Sequence, residues 1–119
     1  MKRSAKLHDL IKLAELKKAM ALDQLSNIQK RQRYIYEQLK CNDEKREELC
    51  SFVISHPTDT VRAQKYGEWL ATVRHDLETN LAILRPEYEQ SYAASNQAFG
   101  RTQSLKELYA TVIEKEGIK

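Results

Sequence analysis

From Lys6 to Val53 the chain contains neither proline nor glycine. Along this stretch Leu7, Ile11, Ala14, Lys18, Ala21, Leu25, Ile28, Gln32, Ile35, Leu39, Asn42, Arg46, Leu49 and Val53 follow one another in alternating steps of four and three. A strand alternates with a period of two and cannot keep such residues on one face. A helix keeps them in a single stripe, and the 3.5-residue period is that of a coiled coil over about seven heptads. Ten of the fourteen positions are apolar, enough to define a seam. The other four are Lys18, Gln32, Asn42 and Arg46. Polar seam residues either fix register or mark a seam that solvent reaches. The stretch reads as one helix of about 50 residues, roughly 75 Å long.

The run ends at Ser55-His56-Pro57-Thr58-Asp59-Thr60. Pro57 restricts His56 to an extended conformation. Thr58 or Asp59 supplies a side-chain oxygen to cap the next helix. So short a loop returns the following helix antiparallel beside the first.

The second run places Tyr66, Leu70, Val73, Leu77, Leu81, Leu84, Tyr88, Tyr92, Ser95, Phe99, Thr102, Leu105, Tyr109 and Val112 on a second seam. Its spacing slips by one residue around Leu77, Leu81 and Leu84, which predicts a local unwinding. Pro86 follows. Its ring conflicts with the carbonyl of Ala82, and a kink or a lost turn is expected there. Gly67 and Gly100 each cost roughly 1 kcal/mol relative to alanine in a helix. Gly117 is the natural terminator.

The expected fold is all-α, a two-helix antiparallel coiled-coil hairpin forming one domain over residues 1–119. Helix one covers about residues 4–54, the loop 55–60, and helix two about 60–116. Folding the chain about the loop brings Val53 near Val61, Ile28 near Pro86 and Leu7 near Lys106. Two helices enclose no central core, so each Leu or Ile is only partly covered and the open ends should fray.

Composition fits this picture. Charged residues make up 31% and apolar residues 41%, too apolar for a disordered tail, and only two prolines and three glycines interrupt the chain. The formal charge is +3 and uneven: residues 1–54 carry twelve basic and eight acidic groups, residues 55–119 eight and nine. The basic half suits an acidic protein partner. A dedicated nucleic-acid binder would show a stronger basic stripe, so no nucleic-acid partner is expected. Cys41 and Cys50 are nine residues apart and read as reduced thiols, as in the cytosol. Met1-Lys2-Arg3-Ser4 is basic, but His8, Asp9, Lys12 and Glu15 break any signal-peptide core. No run approaches the roughly 20 apolar residues of a membrane span. The expected location is cytoplasmic, with peripheral association at the inner membrane left open.

Three features bear on function. Leu7, Leu10, Ile11, Leu13, Leu16, Met20 and Leu22 surround much of the first helix, more than one partner helix covers. They are either a docking surface or residues buried by the C-terminal turns or by self-association. Gln29-Lys30-Arg31-Gln32-Arg33 is a basic run, either a solvated face or a contact for an acidic groove or nucleic acid. Trp69 with Tyr66 and Val73 forms an aromatic-aliphatic patch, either a packing cluster near the loop or a partner-facing hot spot. His8, His56 and His75 are far apart. Glu47 and Glu48 have no pocket around them. Neither catalytic residues, a cofactor site nor a metal site is expected, and the chain reads as non-enzymatic.

Certain features run over nearly the whole chain: the leucine-rich start from Leu7 to Leu16, the long helix with Glu37-Gln38-Leu39-Lys40, and the short Ser/Thr-rich turn. Tyr66, Trp69-Leu70, Val73 and Leu77 follow, and the tail runs from Ala98-Phe99-Gly100-Arg101-Thr102 to Leu105-Lys106-Glu107-Leu108. Together these resemble the FliJ/YscO-type stalk proteins of the flagellar and related type III secretion export apparatus. The resemblance implies a fold similar to the antiparallel coiled coil of the rotary ATPase gamma subunit. It implies three partners: the hexameric export ATPase, the cytoplasmic domain of the export-gate membrane protein, and the export chaperones. The implied gate-contacting face comprises Gln38, Asn42, Lys45, Leu49, Trp69, Val73, Asp76 and Asn80. The implied ATPase-facing end comprises Leu7 to Met20 and Leu105 to Val112, with Leu10, Leu13, Leu16 and Met20 as contacts. Two other readings stand beside it: a coiled-coil adaptor or chaperone of another system, and a nucleic-acid-binding helical hairpin.

Overall fold

The computed structural model describes residues 3–117. Two helices account for nearly all of them. Helix α1 spans Arg3–Ser55 and helix α2 spans Thr60–Lys115, with a single 3-10 turn, Pro57–Asp59, between them. The chain is an all-α antiparallel coiled-coil hairpin. It divides into two compact units. The loop unit comprises residues 29–86 and contains the turn. The terminal unit pairs α1 up to Ile28 with α2 from Glu87 onward.

In α1 the seam follows the heptads. Leu7, Ile28, Ile35 and Asn42 are buried, and Ile11, Ala14, Lys18, Ala21, Leu25, Gln32, Leu39, Leu49 and Val53 are half-buried. Arg46 alone among the fourteen is exposed. Its long charged side chain is poorly suited to a seam and stays in solvent.

In α2 the seam differs from the one that apolar spacing suggests. Beside the half-buried Val73 and Ile113, the covered row is Ala63, Gly67, Leu70, Arg74, Leu77, Leu81, Leu84, Tyr88, Ser91, Ser95, Ala98, Thr102, Leu105, Tyr109 and Val112. Their steps alternate between four and three without a break. There is no register slip. The expected slip near Leu77 comes from assigning Val73 to the seam in place of Arg74, and both are half-buried; Tyr66, Tyr92 and Phe99, also assigned there, are exposed. Gly67, Ser91 and Ala98 occupy the covered positions instead. The physical reason is room: small side chains fit between two close backbones, and a large ring beside them is displaced to the flank.

Cross-helix contacts fix the antiparallel pairing within each unit. In the loop unit, Asn42 meets Leu70 and Leu49 meets Gly67. In the terminal unit, Ala21 meets Ser95 and Glu15 meets Lys106. Leu70 is the most deeply buried large side chain, 1% exposed.

The turn forms differently from the expected cap. His56 is extended at φ −132°, ψ 70°, as the following proline requires. Neither Thr58 nor Asp59 caps α2. Pro57 opens the 3-10 turn, where its missing N–H leaves no bond unmade, and the turn runs directly into α2 at Thr60. The Thr60 hydroxyl donates back to the Pro57 carbonyl, and the His56 ring stacks on Phe52.

Helix α2 passes through Pro86 without interruption, so the expected lost turn is not there. Pro86 and Ala82 are both exposed. The carbonyl that loses its helix partner therefore lies on the solvent side, where water can satisfy it. At the far end Gly117 adopts φ 70°, the left-handed conformation that closes helices. Its N–H donates to Glu114, and that of Glu116 donates to Val112.

Candidate partner-docking surfaces

The middle of the terminal unit's seam is made of small and polar residues. On α1 it holds Ala14, Lys18 and Ala21, and on α2 it holds Ser91, Ser95, Ala98 and Thr102. The Ser95 hydroxyl donates to the Ala21 carbonyl at 3.2 Å, and Thr102 donates to Ala98 in its own helix. The Ser91 hydroxyl is buried with no protein partner. Lys18 resolves its seam position by reaching out, its ammonium lying 4.5 Å from the centre of the exposed Phe99 ring.

Leu7, Ile28 and Val112 are buried in this unit, but several of its other large apolar side chains point outward. Leu10, Leu13, Leu16 and Met20 are 48%, 48%, 58% and 65% exposed. Their spacing of three, three and four places them within one broad stripe on α1. Leu22, Tyr92, Phe99 and Leu108 are exposed as well. Beside the stripe lies a groove of about 170 Å³ lined by Leu10, Leu13, Ala14, Lys17, Ala98, Arg101 and Leu105. Both helices contribute to it.

The loop unit carries a second surface. Trp69 is 54% exposed and stacks on Tyr66, with ring centres 5.8 Å apart and planes at 24°. A hollow of about 420 Å³ next to it is lined by Lys45, Glu48, Leu49, Phe52, Arg62, Ala63 and Tyr66. Gln38, Lys45 and Phe52 are seven residues apart and share one flank of α1. Tyr66, Val73 and Asn80 are seven apart and share one flank of α2. Because Lys45, Phe52 and Tyr66 line the same hollow, these two flanks adjoin. Gln38, Lys45, Asp76 and Asn80 are exposed, and Leu49 and Val73 are half-buried.

Asn42 stands apart from that group. It is 4% exposed, and its Nδ2 donates to the Leu70 carbonyl at 2.9 Å. Its side chain is committed to the interior, as a polar seam residue that specifies pairing would be. Nearby, Arg74 bridges Asp43 on the other helix and Glu78 on its own. In the basic run, Lys30, Arg31 and Arg33 are exposed, while Gln32 turns into the seam.

Spacing alone did not single out Phe52, Arg62, Lys17 or Arg101. The repeat Gln38, Lys45, Phe52 was a usable signal for the first. For the cations, only the packing shows which charges edge a groove. Among the described residues His, Cys, Asp and Glu form no group able to hold a metal ion, and no helix is long and apolar enough to cross a membrane. Cys41 and Cys50 are exposed thiols.

No family model matches the chain, and neither a curated protein nor a solved structure shows significant similarity to it. The class is thus set by the fold: a coiled-coil hairpin with exposed apolar surfaces, an architecture suited to a stalk or adaptor.

Proposed function

We propose that this chain is a non-enzymatic stalk and adaptor of the FliJ/YscO type, serving the ATPase of a flagellar or related type III export system. One observation carries the reading: Leu10, Leu13, Leu16 and Met20 stand exposed beside a fully formed seam. These residues lie outside the seam and are available to a partner. In this reading the terminal unit enters the hexameric ATPase ring. It contributes no catalytic group and biases which interfaces of the ring close. The loop unit presents Trp69, Tyr66, Val73, Lys45 and Gln38 to the cytoplasmic domain of the export gate, and export chaperones are further partners. The protein works in the cytoplasm, at the inner face of the membrane.

The test is ATP turnover by the cognate ring. Leu10, Leu13 and Leu16 are changed together to serine, leaving Leu7, Ile11 and Ala14 for internal packing. Each leucine buried at an interface contributes roughly 1.5–3 kcal/mol, so stimulation should fall by at least about tenfold. Circular dichroism checks that helicity is unchanged. Equal stimulation by the folded variant removes the docking surface. No effect of the wild-type chain on the ring favours a coiled-coil adaptor or chaperone of another system.

A further inference from the structure

The groove of the terminal unit has a shape and a charge that specify its occupant. Ala14 and Ala98, one from each helix, contribute methyl groups to its lining. Leu10, Leu13 and Leu105 provide its larger apolar surface. Lys17 on α1 and Arg101 on α2 are both exposed, and no carboxylate is among the lining residues. A concave apolar trough between two helices accepts the side-chain ridge of a third helix. Cations contributed by both helices favour carboxylates beside that ridge. A second copy of this chain would present the same lysine and arginine, like charge against like. A lipid surface fits a broad convex face better than a trough between helices.

We propose that this groove binds one amphipathic helix whose apolar stripe is bordered by acidic residues, closing the terminal unit into a three-helix bundle. The proposal rests on the reading of this unit as a docking surface, and it adds the chemistry of what docks. The third helix covers Leu10 and Leu13 and pairs its carboxylates with Lys17 and Arg101.

The probe is a labelled synthetic helix of about 18 residues, or five turns. It carries leucines at helical spacing and glutamates along both borders, and a control peptide has lysines in place of the glutamates. Binding to the full chain is followed by fluorescence anisotropy. The acidic peptide should bind at least about tenfold more tightly than the basic one, and added salt should narrow the difference. The double variant Lys17→Glu/Arg101→Glu should reverse the preference, and Leu13→Gln should weaken both peptides. All three positions are exposed, and circular dichroism verifies the fold. Equal binding of the two peptides, no binding, or indifference to Leu13→Gln overturns the proposal. So does a concentration-dependent dimer that Leu13→Gln dissociates, which makes a second copy the occupant. Attachment to phosphatidylglycerol vesicles through the same residues, without peptide binding, overturns it too. If the peptide fails while the triple serine variant still loses ring stimulation, the groove proposal falls and the stalk reading stands.

Discussion

In the loop unit the seam holds Ile35, Leu39, Leu70, Leu77, Leu81 and Leu84 together with Gln32, Asn42, Gly67 and Arg74, and in the terminal unit the middle of the seam holds Ala14, Lys18, Ala21, Ser91, Ser95, Ala98 and Thr102. The first unit is held by hydrophobic contact between its helices, with Leu70 sealed from solvent. The second closes its middle on small and hydroxylated side chains, with Leu7, Ile28 and Val112 buried toward its ends, and displays Leu10, Leu13 and Leu16 outside. Two packed helices can bury only one narrow stripe each. Where small residues occupy that stripe, neighbouring large apolar residues stay outside it. Both units leave large apolar side chains exposed, Ile54, Val61 and Trp69 in the first and Leu16 and Met20 in the second, so the difference lies in what fills the seam.

The largest effect expected from this contrast is at Leu70. Replacing it with alanine should destabilise the hairpin by ~2–5 kcal/mol, because the side chain is fully covered. Leu16→Ala in the terminal unit should change stability by less than about 0.5 kcal/mol, because that side chain already faces solvent. Urea unfolding of both variants measures the gap. Similar losses would mean that the outer leucines support the fold and would erase the distinction between the units.

A smaller effect separates two serines of the terminal seam. Ser91 is buried with an unbonded hydroxyl, so Ser91→Ala should raise stability by about 1 kcal/mol. Ser95 donates to Ala21, and Ser95→Ala should stay within about 0.5 kcal/mol of wild type as lost bond and gained helix propensity offset each other. Thermal melts of the two variants should therefore rank Ser91→Ala above Ser95→Ala, and the reverse order would show that Ser91 has a partner in solution.

The smallest contrast compares one glycine from each unit. A methyl group added at Gly100 meets nothing within 4 Å, so Gly100→Ala should stabilise by about 0.5–1 kcal/mol. At Gly67 the added carbon would lie 3.3 Å from Leu49 Cδ2. That crowding should cancel much of the same gain, and a smaller rise in melting temperature is the expected reading. An equal rise would show that the Leu49 side chain moves aside without loss.

Much of the hairpin was readable from spacing. Heptads from Leu7 to Val53, one proline-bearing break and a terminal glycine determine two helices and their antiparallel return, because period and breakers act locally along the chain. The seam of α1 was readable for the same reason. That of α2 was not, because hydrophobicity points to Tyr66, Tyr92 and Phe99, whereas the space between two backbones admits Gly67, Ser91 and Ala98. Exposure of Leu10, Leu13 and Leu16 follows from their excess over one stripe, a property of the sequence. Three features depended on the approach of the second helix: the commitment of Asn42 to the Leu70 carbonyl, the placing of Lys17 and Arg101 along one groove, and the passage of α2 through Pro86. Each joins residues far apart in the chain or depends on which side of a helix faces water, and only packing brings such groups together.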